Sequence, residues 1–217
     1  AEIAGAKRGK IANIATSGSM DNITRLAGHD GGGAFALAQN GMPWGKGIEL
    51  VAHLRSPETV FIIGPRADGI RAIADLKGLR IGIGPMGSGT AYLAESIFKT
   101  PLFSALGARL SHHGTDEQLD MLAKGKLDLA VFVISEKSAF MEKAVRELGM
   151  QIAGLRQCES ISMRLPYLKT EYIAEGLYDP VRNLPPSRKK VLKVDTLLVS
   201  NGKAVRSEVM GMLEVFS

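Results

Sequence analysis

Arg80-Ile81-Gly82-Ile83-Gly84-Pro85-Met86-Gly87-Ser88-Gly89-Thr90 is the stretch whose reading decides the fold. Ile81 and Ile83 start a strand, glycines and a proline break it, and Leu93, Ala94, Ile97 and Phe98 then recur on one helical face. The order is strand, glycine turn, helix. Such a turn leaves the first N–H groups of the helix without partners in the chain, and the helix dipole adds to their attraction for a carboxylate or phosphate. Ser88 and Thr90 bring hydroxyl donors to the same point.

Several readings compete for this turn. Gly82, Gly84 and Gly87 meet the G-x-G-x-x-G spacing of a dinucleotide fold. The acidic residue that would hold the ribose, about 20 residues further on, is replaced by His112-His113-Gly114. A Walker A loop is excluded, because Gly89 is followed by Thr90 and no lysine. A tight turn without a ligand is the plain alternative. Thr16-Ser17-Gly18-Ser19 repeats the arrangement between a strand and a helix, with Asn22 one turn in. It reads either as a helix cap alone or as a second anion-friendly helix start, and two such starts suggest two lobes.

Working outward, β-rich runs predict strands over 10–16, 35–39, 49–54, 59–63, 80–83, 108–111, 127–134, 151–155 and 196–200. Helices are expected over 19–26 and 91–98 and from Ser207. Thr115-Asp116-Glu117-Gln118 has capping-box spacing, with the Thr115 hydroxyl first and the Gln118 amide three later. Ser135 is expected to cap the next helix, which Gly149 ends. The apolar run over 127–134 predicts a strand covered on both faces. This alternation points to right-handed βαβ units and a parallel sheet. Residues 156–193 read as irregular, and Arg188-Lys189-Lys190 with Lys193 as a solvated connection.

The chain has 217 residues, 45% of them hydrophobic and 23% charged, with a net charge of +5. That is one domain or two small lobes at roughly 100–200 residues per domain. The mild, dispersed positive charge, without interleaved aromatics, argues against a nucleic-acid partner. Cys158, the single cysteine, excludes a disulfide framework and a Cys-based zinc cluster. No run approaches the ~18 apolar residues of a membrane span, and no signal-peptide pattern opens the chain, so any targeting or tethering segment is expected outside these residues. His112 and His113 are adjacent, would face opposite sides of a strand, and read as structural or exposed rather than as metal ligands. Trp44 reads as a loop aromatic packed on its own lobe or roofing a ligand. No Gly-x-Ser-x-Gly elbow, His-Glu-x-x-His or partnered carboxylate pair is present, so an enzyme is not expected.

The stretch 73–84, followed by Gly87-Ser88-Gly89-Thr90, resembles type II periplasmic binding proteins and, more narrowly, the TAXI family of TRAP-transporter solute-binding subunits. Thr16-Ser17-Gly18-Ser19-Met20-Asp21-Asn22 with Leu26 is similar to the helix start of that family's first lobe. Gly125-Lys126-Leu127-Asp128-Leu129-Ala130-Val131-Phe132 is similar to one of its strands, and Leu165-Pro166-Tyr167 with Gly176-Leu177-Tyr178 loosely to a late segment. The family begins with a strand, a glycine turn and a helix ahead of the Thr16 motif, so the first lobe is expected to be incomplete here. Ile134-Ser135 departs from the family, which often carries glycine at that place in the cleft.

The resemblance implies an α/β protein with two lobes of mixed sheet and flanking helices, residues 1–64 plus 195–217 against 65–194. The strands at 61–64 and 196–200 would carry the hinge. It implies capture of a small anionic solute, a carboxylate, for a membrane transporter or a related sensor. The implied ligand-binding residues are Ser17, Gly18, Ser19, Asn22, Gln39, Ser88, Gly89, Thr90 and Phe132. No cofactor, metal or catalytic residue is implied. A monomer in the periplasm or another extracytoplasmic space, either free or membrane-tethered through a segment outside these residues, is expected. Two other readings stay open: an NAD(P)- or flavin-linked oxidoreductase using the Gly82-Gly84-Gly87 loop, and the effector-binding domain of a transcription regulator.

Overall fold

A computed structural model describes residues 12–29 and 34–216. The first strands and helices are α1 (Ser19–Ala27), β1 (Phe35–Gln39), β2 (Glu49–His53), β3 (Glu58–Gly64) and β4 (Arg80–Gly82). Then come α2 (Gly89–Phe98), α3 (Pro101–Ser104), β5 (Arg109–Ser111), α4 (Thr115–Ala123), β6 (Leu129–Ile134) and α5 (Ala139–Arg146). The chain closes through β7 (Gln151–Ile152), α6 (Cys158–Ser162), β8 (Leu168–Ile173), β9 (Lys189–Val194), β10 (Thr196–Ser200) and α7 (Arg206–Phe216).

The strands form two sheets. The smaller is antiparallel in the order β1-β10-β2. The larger has the order β5-β4-β6-β3-β9-β8, with β7 also paired to β3. Parallel pairing, expected from the strand–helix alternation after residue 71, is confined to β4 with β5 and β6. Around β3 and β9 every pairing is antiparallel, so the sheet is mixed.

Side-chain alternation along the larger sheet builds a core on each face. Val60, Ile81, Val131, Val133, Leu192 and Val194 meet Leu93, Ala94 and Ile97 of α2. On the other face Phe61, Ile63, Ala130 and Phe132 meet Leu122 of α4 and Met141, Ala144 and Val145 of α5. Thus β6 is covered on both sides, as its continuous apolar run predicts. The first cluster continues into the smaller sheet through Ile23, Leu26, Ala38, Leu197 and Val199.

Several expectations are corrected. Residues 12–16 form no strand, and 10–11 lie outside the described residues. β3 is hydrogen-bonded into the larger sheet, whereas the sequence expectation put residues through 64 with the first lobe. The chain passes between sheets at 54–57 and at Asp195, not within 61–64, where Phe61 and Ile63 are fully buried core. Helix α5 is capped by Ser138, whose Oγ accepts the Met141 N–H at 3.2 Å; Ser135 instead accepts from Lys137. At α4 the cap is Gly114, whose N–H donates to Glu117 at 3.2 Å.

The basic run is not a solvated connection. Its lysines lie in β9, an interior strand, while Arg188 just ahead of it is exposed. Lys189, 6% exposed, is paired with Asp68, while Lys190 reaches Glu159 at 2.8 Å and Lys193 reaches Glu136 at 2.6 Å. Each charge that the sheet half-buries is neutralised by a carboxylate from another element, as a buried charge requires.

Candidate functional site

The two loops singled out by their glycines and hydroxyls meet. A β-carbon on Gly18 would lie 3.7 Å from the Gly89 nitrogen and 3.8 Å from Ser88 Cα. Gly18 caps α1 and Gly89 opens α2, so two helix N-termini from the two sides of the molecule come together at the carboxyl ends of β4 and β6. Open α/β sheets generally present their ligand sites there.

On the α1 side, the Thr16 hydroxyl donates to Asn22 Oδ1 at 2.5 Å, and Asn22 Nδ2 donates to the Leu37 carbonyl at 2.7 Å. Asn22 therefore fastens the loop to β1. The Ser17 N–H donates to Asp21 at 3.0 Å, and Arg25 holds the same carboxylate at 2.8 Å. The Ser17 amide and the Arg25 guanidinium keep the Asp21 carboxyl below its ordinary range. This helix end already carries its own anion, which the sequence reading did not weigh.

On the α2 side the donors are open. Ser88, only 8% exposed, accepts the Ala91 N–H at 3.1 Å as the cap, and its own amide donates to the Pro85 carbonyl at 3.0 Å. Among the described residues none accepts the Gly89 or Thr90 amide. Thr90 Oγ1 accepts the Val133 N–H at 3.4 Å, which leaves the hydroxyl proton to donate elsewhere.

The turn is held from behind. The Gly84 N–H donates to Gln118 Oε1 at 3.0 Å, its carbonyl accepts the His113 N–H at 3.2 Å, and His112 Nδ1 lies 3.3 Å from that same oxygen. A carbonyl only accepts, so the geometry puts a proton on His112 Nδ1. Gln118 thus anchors the turn rather than capping α4. The histidines are structural: His112 also approaches Glu95 and His113 approaches Glu117.

Gln39, at the end of β1, lies between the loops. Its backbone N–H donates to Ser19 Oγ at 3.2 Å and its Nε2 donates to Glu58 at 2.6 Å. Its Oε1 is buried without a partner and sits where a β-carbon on Gly89 would be, with Ser19 Oγ 2.9 Å from that point. Only glycine admits this approach at residue 89. Ser17, Gly18, Ser19, Asn22, Gln39, Ser88, Gly89 and Thr90 are therefore neighbours. Phe132 is set apart: it packs on Phe140 at 4.9 Å between centroids, in the core beneath α4 and α5.

The sequence reading did not single out the acidic side of the site. Glu58 begins β3 and is half-buried; burial pushes its carboxyl up, against the opposing effect of the Gln39 bond. Beside it Thr59, fully buried, donates to Glu136 at 3.0 Å, and Glu136 is neutralised by Lys193. Among the described residues no group of His, Cys, Asp and Glu is placed to hold a metal. A small cavity of about 20 Å³ lies away from these loops, in the core between the larger sheet and α2, lined by Val60, Ala94, Val131, Cys158 and Ile161. Burial pushes the Cys158 thiol up to about 12, which leaves it unreactive. Trp44, half-buried, packs against the core.

Comparison with known proteins agrees with this architecture. The profile of the NMT1-like family matches residues 1–186. The GluR0 ligand-binding core in complex with L-glutamate is similar in structure, with a TM-score of 0.54 and 11% identity, over 93% of this chain and 73% of that one. The regulatory domain of CcmR from Synechocystis PCC6803, in complex with 2-PG, gives 0.52 and 14% over 92% and 78%. A substrate-binding protein of an amino acid ABC transporter gives 0.46 and 14% over 89% and 67%. The chain spans less than half, 45% and 44%, of two ancestral arginine-binding proteins that it also matches. At these identities the likeness is one of fold, the two-lobed α/β fold of periplasmic binding proteins.

Proposed function

We propose that this chain, which belongs to the NMT1-like family, binds a small anionic solute, a carboxylate, between its two lobes and hands it to a membrane partner. The lobe of the smaller sheet takes 12–53 and 196–216, and that of the larger sheet takes 58–194. The observation that carries this reading is the open N-terminus of α2. Gly89 and Thr90 present unaccepted amides there, directly across from Gly18 and Ser19. Charge-assisted hydrogen bonds contribute roughly 1.5–3 kcal/mol each, so two amides and the Thr90 hydroxyl supply about 4.5–9 kcal/mol, which after association costs of at least about 4 kcal/mol makes a submillimolar site at best from these three groups alone.

The transport setting is a TRAP-type system of the TAXI kind, or a related sensor, on the strength of the motifs at 16–22 and 82–90. Such a role puts the protein in an extracytoplasmic space. No helix among the described residues is long and apolar enough to cross a membrane. Binding needs no cofactor and no catalytic group. A thermal-shift screen of carboxylates, amino acids, sugars and nucleosides tests the reading. At a ligand concentration of 100 Kd a binder adds about 2.7 kcal/mol of stability. The expected hits are carboxylates; hits confined to neutral sugars or nucleosides would overturn the anionic assignment.

A further inference from the structure

Gln39 and Glu58 are joined across the two sheets, and their bond bears directly on what the site offers a ligand. Gln39 is 7% exposed, ends β1, and donates Nε2 to a Glu58 oxygen at 2.6 Å. A charged Glu58 locks this arrangement, because both of its oxygens then only accept and Gln39 must turn its NH2 group towards them. It also fixes the other end of the amide: Oε1, an acceptor, lies against Gly89 with no partner. An acceptor is the wrong group to set beside two open amides meant for a carboxylate.

We propose that Glu58 is the specificity switch of this site: a proton taken from solvent onto Glu58 turns the Gln39 amide over and converts the group it offers at the start of α2 from acceptor to donor. The Glu58 O–H then donates to Gln39 Oε1, and Gln39 Nε2 turns towards Gly89, where it donates to a bound anion. Anion capture and proton uptake are thereby one event. This rests on the reading of the α2 N-terminus as the anion site.

The surroundings favour a proton on Glu58. Burial raises its affinity for one, and among the described residues no cation pairs with it. The charged groups on the elements packed beside it are engaged with one another. Lys193 on β9 holds Glu136, which follows β6; Lys169 on β8 holds Asp195 at the crossing, with His53 of β2 3.4 Å from the same carboxylate. Arg55, in the loop before β3, is exposed.

The probe is trifluoroacetate, whose own carboxylate stays ionised, titrated into the 15N-labelled protein at about pH 5 and about pH 8. The readouts are the backbone amides of Gly89 and Thr90 and the side-chain amide of Gln39. Binding favours the protonated state, so affinity should rise at the lower pH, by about tenfold or more. The Gln39 side-chain resonances should move with pH in the free protein. Glu58→Gln, whose amide is able to donate to Gln39 Oε1 at every pH, should lose the pH dependence and bind at pH 8 about as the natural protein binds at pH 5, which also separates Glu58 from His53. Equal affinity at both pH values, with Gly89 and Thr90 shifting, would overturn the switch and leave the site standing. No shift of Gly89 or Thr90 at either pH would overturn the site and the switch together. Should Glu58→Gln fail to fold, a pH-invariant Gln39 side chain in the natural protein still refutes the proposal.

Discussion

The ring of Tyr167 fills the space that a β-carbon on Gly41 would need, with Cδ2 2.5 Å from that point. Gly41 turns the chain after β1 in the smaller sheet's lobe, with a φ of 87°, and Tyr167 precedes β8 in the larger one. Segments leading from the smaller sheet and into the larger one meet here, an aromatic ring against bare backbone. Gly41→Ala suffers twice, from the left-handed φ and from the ring, and should lower stability by about 2–3 kcal/mol. In a Tyr167→Ala background the steric part vanishes, so a denaturant double-mutant cycle should show coupling of about 1 kcal/mol or more. Additive losses would mean that the ring does not press on Gly41.

Gln118→Leu is predicted to loosen the glycine turn. It leaves the buried Gly84 N–H without its acceptor, at a cost of about 1–3 kcal/mol. Hydrogen exchange at Gly84 should quicken while α7, remote in sequence, exchanges as before. Unchanged protection at Gly84 would count against the anchor.

Much of this architecture was legible in the sequence. Strand 35–39 coincides with its predicted bounds, and the turn from β4 into α2 lies where its glycines and Ser88 put it. The failures share one cause, partners distant along the chain. Lysines at 189, 190 and 193 read as solvated because the carboxylates that neutralise them sit elsewhere, Asp68 being 121 residues away. Gln118 read as a cap because Gly84, 34 residues upstream, could not be seen as its partner. The clustering of Ser19, Gln39 and Gly89 agrees with the candidate list, while Glu58 carried no local signal, since only the meeting of β1 and β3 gives it a role. Phe132 belonged to a motif, yet the pleat turns it to the opposite core.

Arg80 and Asp128 tie β4 to the start of β6 through two side-chain bonds of 3.0 and 2.7 Å and a backbone bond of 2.8 Å. The Arg80 bonds hold the Asp128 carboxyl below its usual 3.8. A carboxyl lowered on folding stabilises the protein above its unfolded pKa, and that contribution is lost as pH falls through the folded one. Both side chains are about a third exposed, at 39% and 34%, so solvent screening keeps the effect modest. Asp128→Asn should flatten the acid limb of stability below about pH 4 and leave its shape near neutrality unchanged. An unaltered acid limb would assign that limb to other carboxylates.

Gly89→Ala separates folding from binding. The added methyl meets the ends of the Gln39 and Ser19 side chains rather than backbone, so the apo protein accommodates it by turning those side chains aside. That movement takes Gln39 Oε1 and Ser19 Oγ out of the site. The expected outcome is a melting temperature within a few degrees of the natural protein and at least about tenfold weaker binding of any carboxylate identified by the screen. Full affinity in a folded variant would remove Gly89 from the site.

The central claim is that a carboxylate is held at the start of α2, and the crystal structure of the complex with the tightest-binding solute from the screen tests it most directly. The account predicts carboxylate oxygens about 2.7–3.2 Å from the Gly89 and Thr90 nitrogens, with the Thr90 hydroxyl donating and Gly18 and Ser19 across from them. A solute seated elsewhere, such as in the apolar cavity beside Cys158, or one held at α2 with no anionic group, would contradict it.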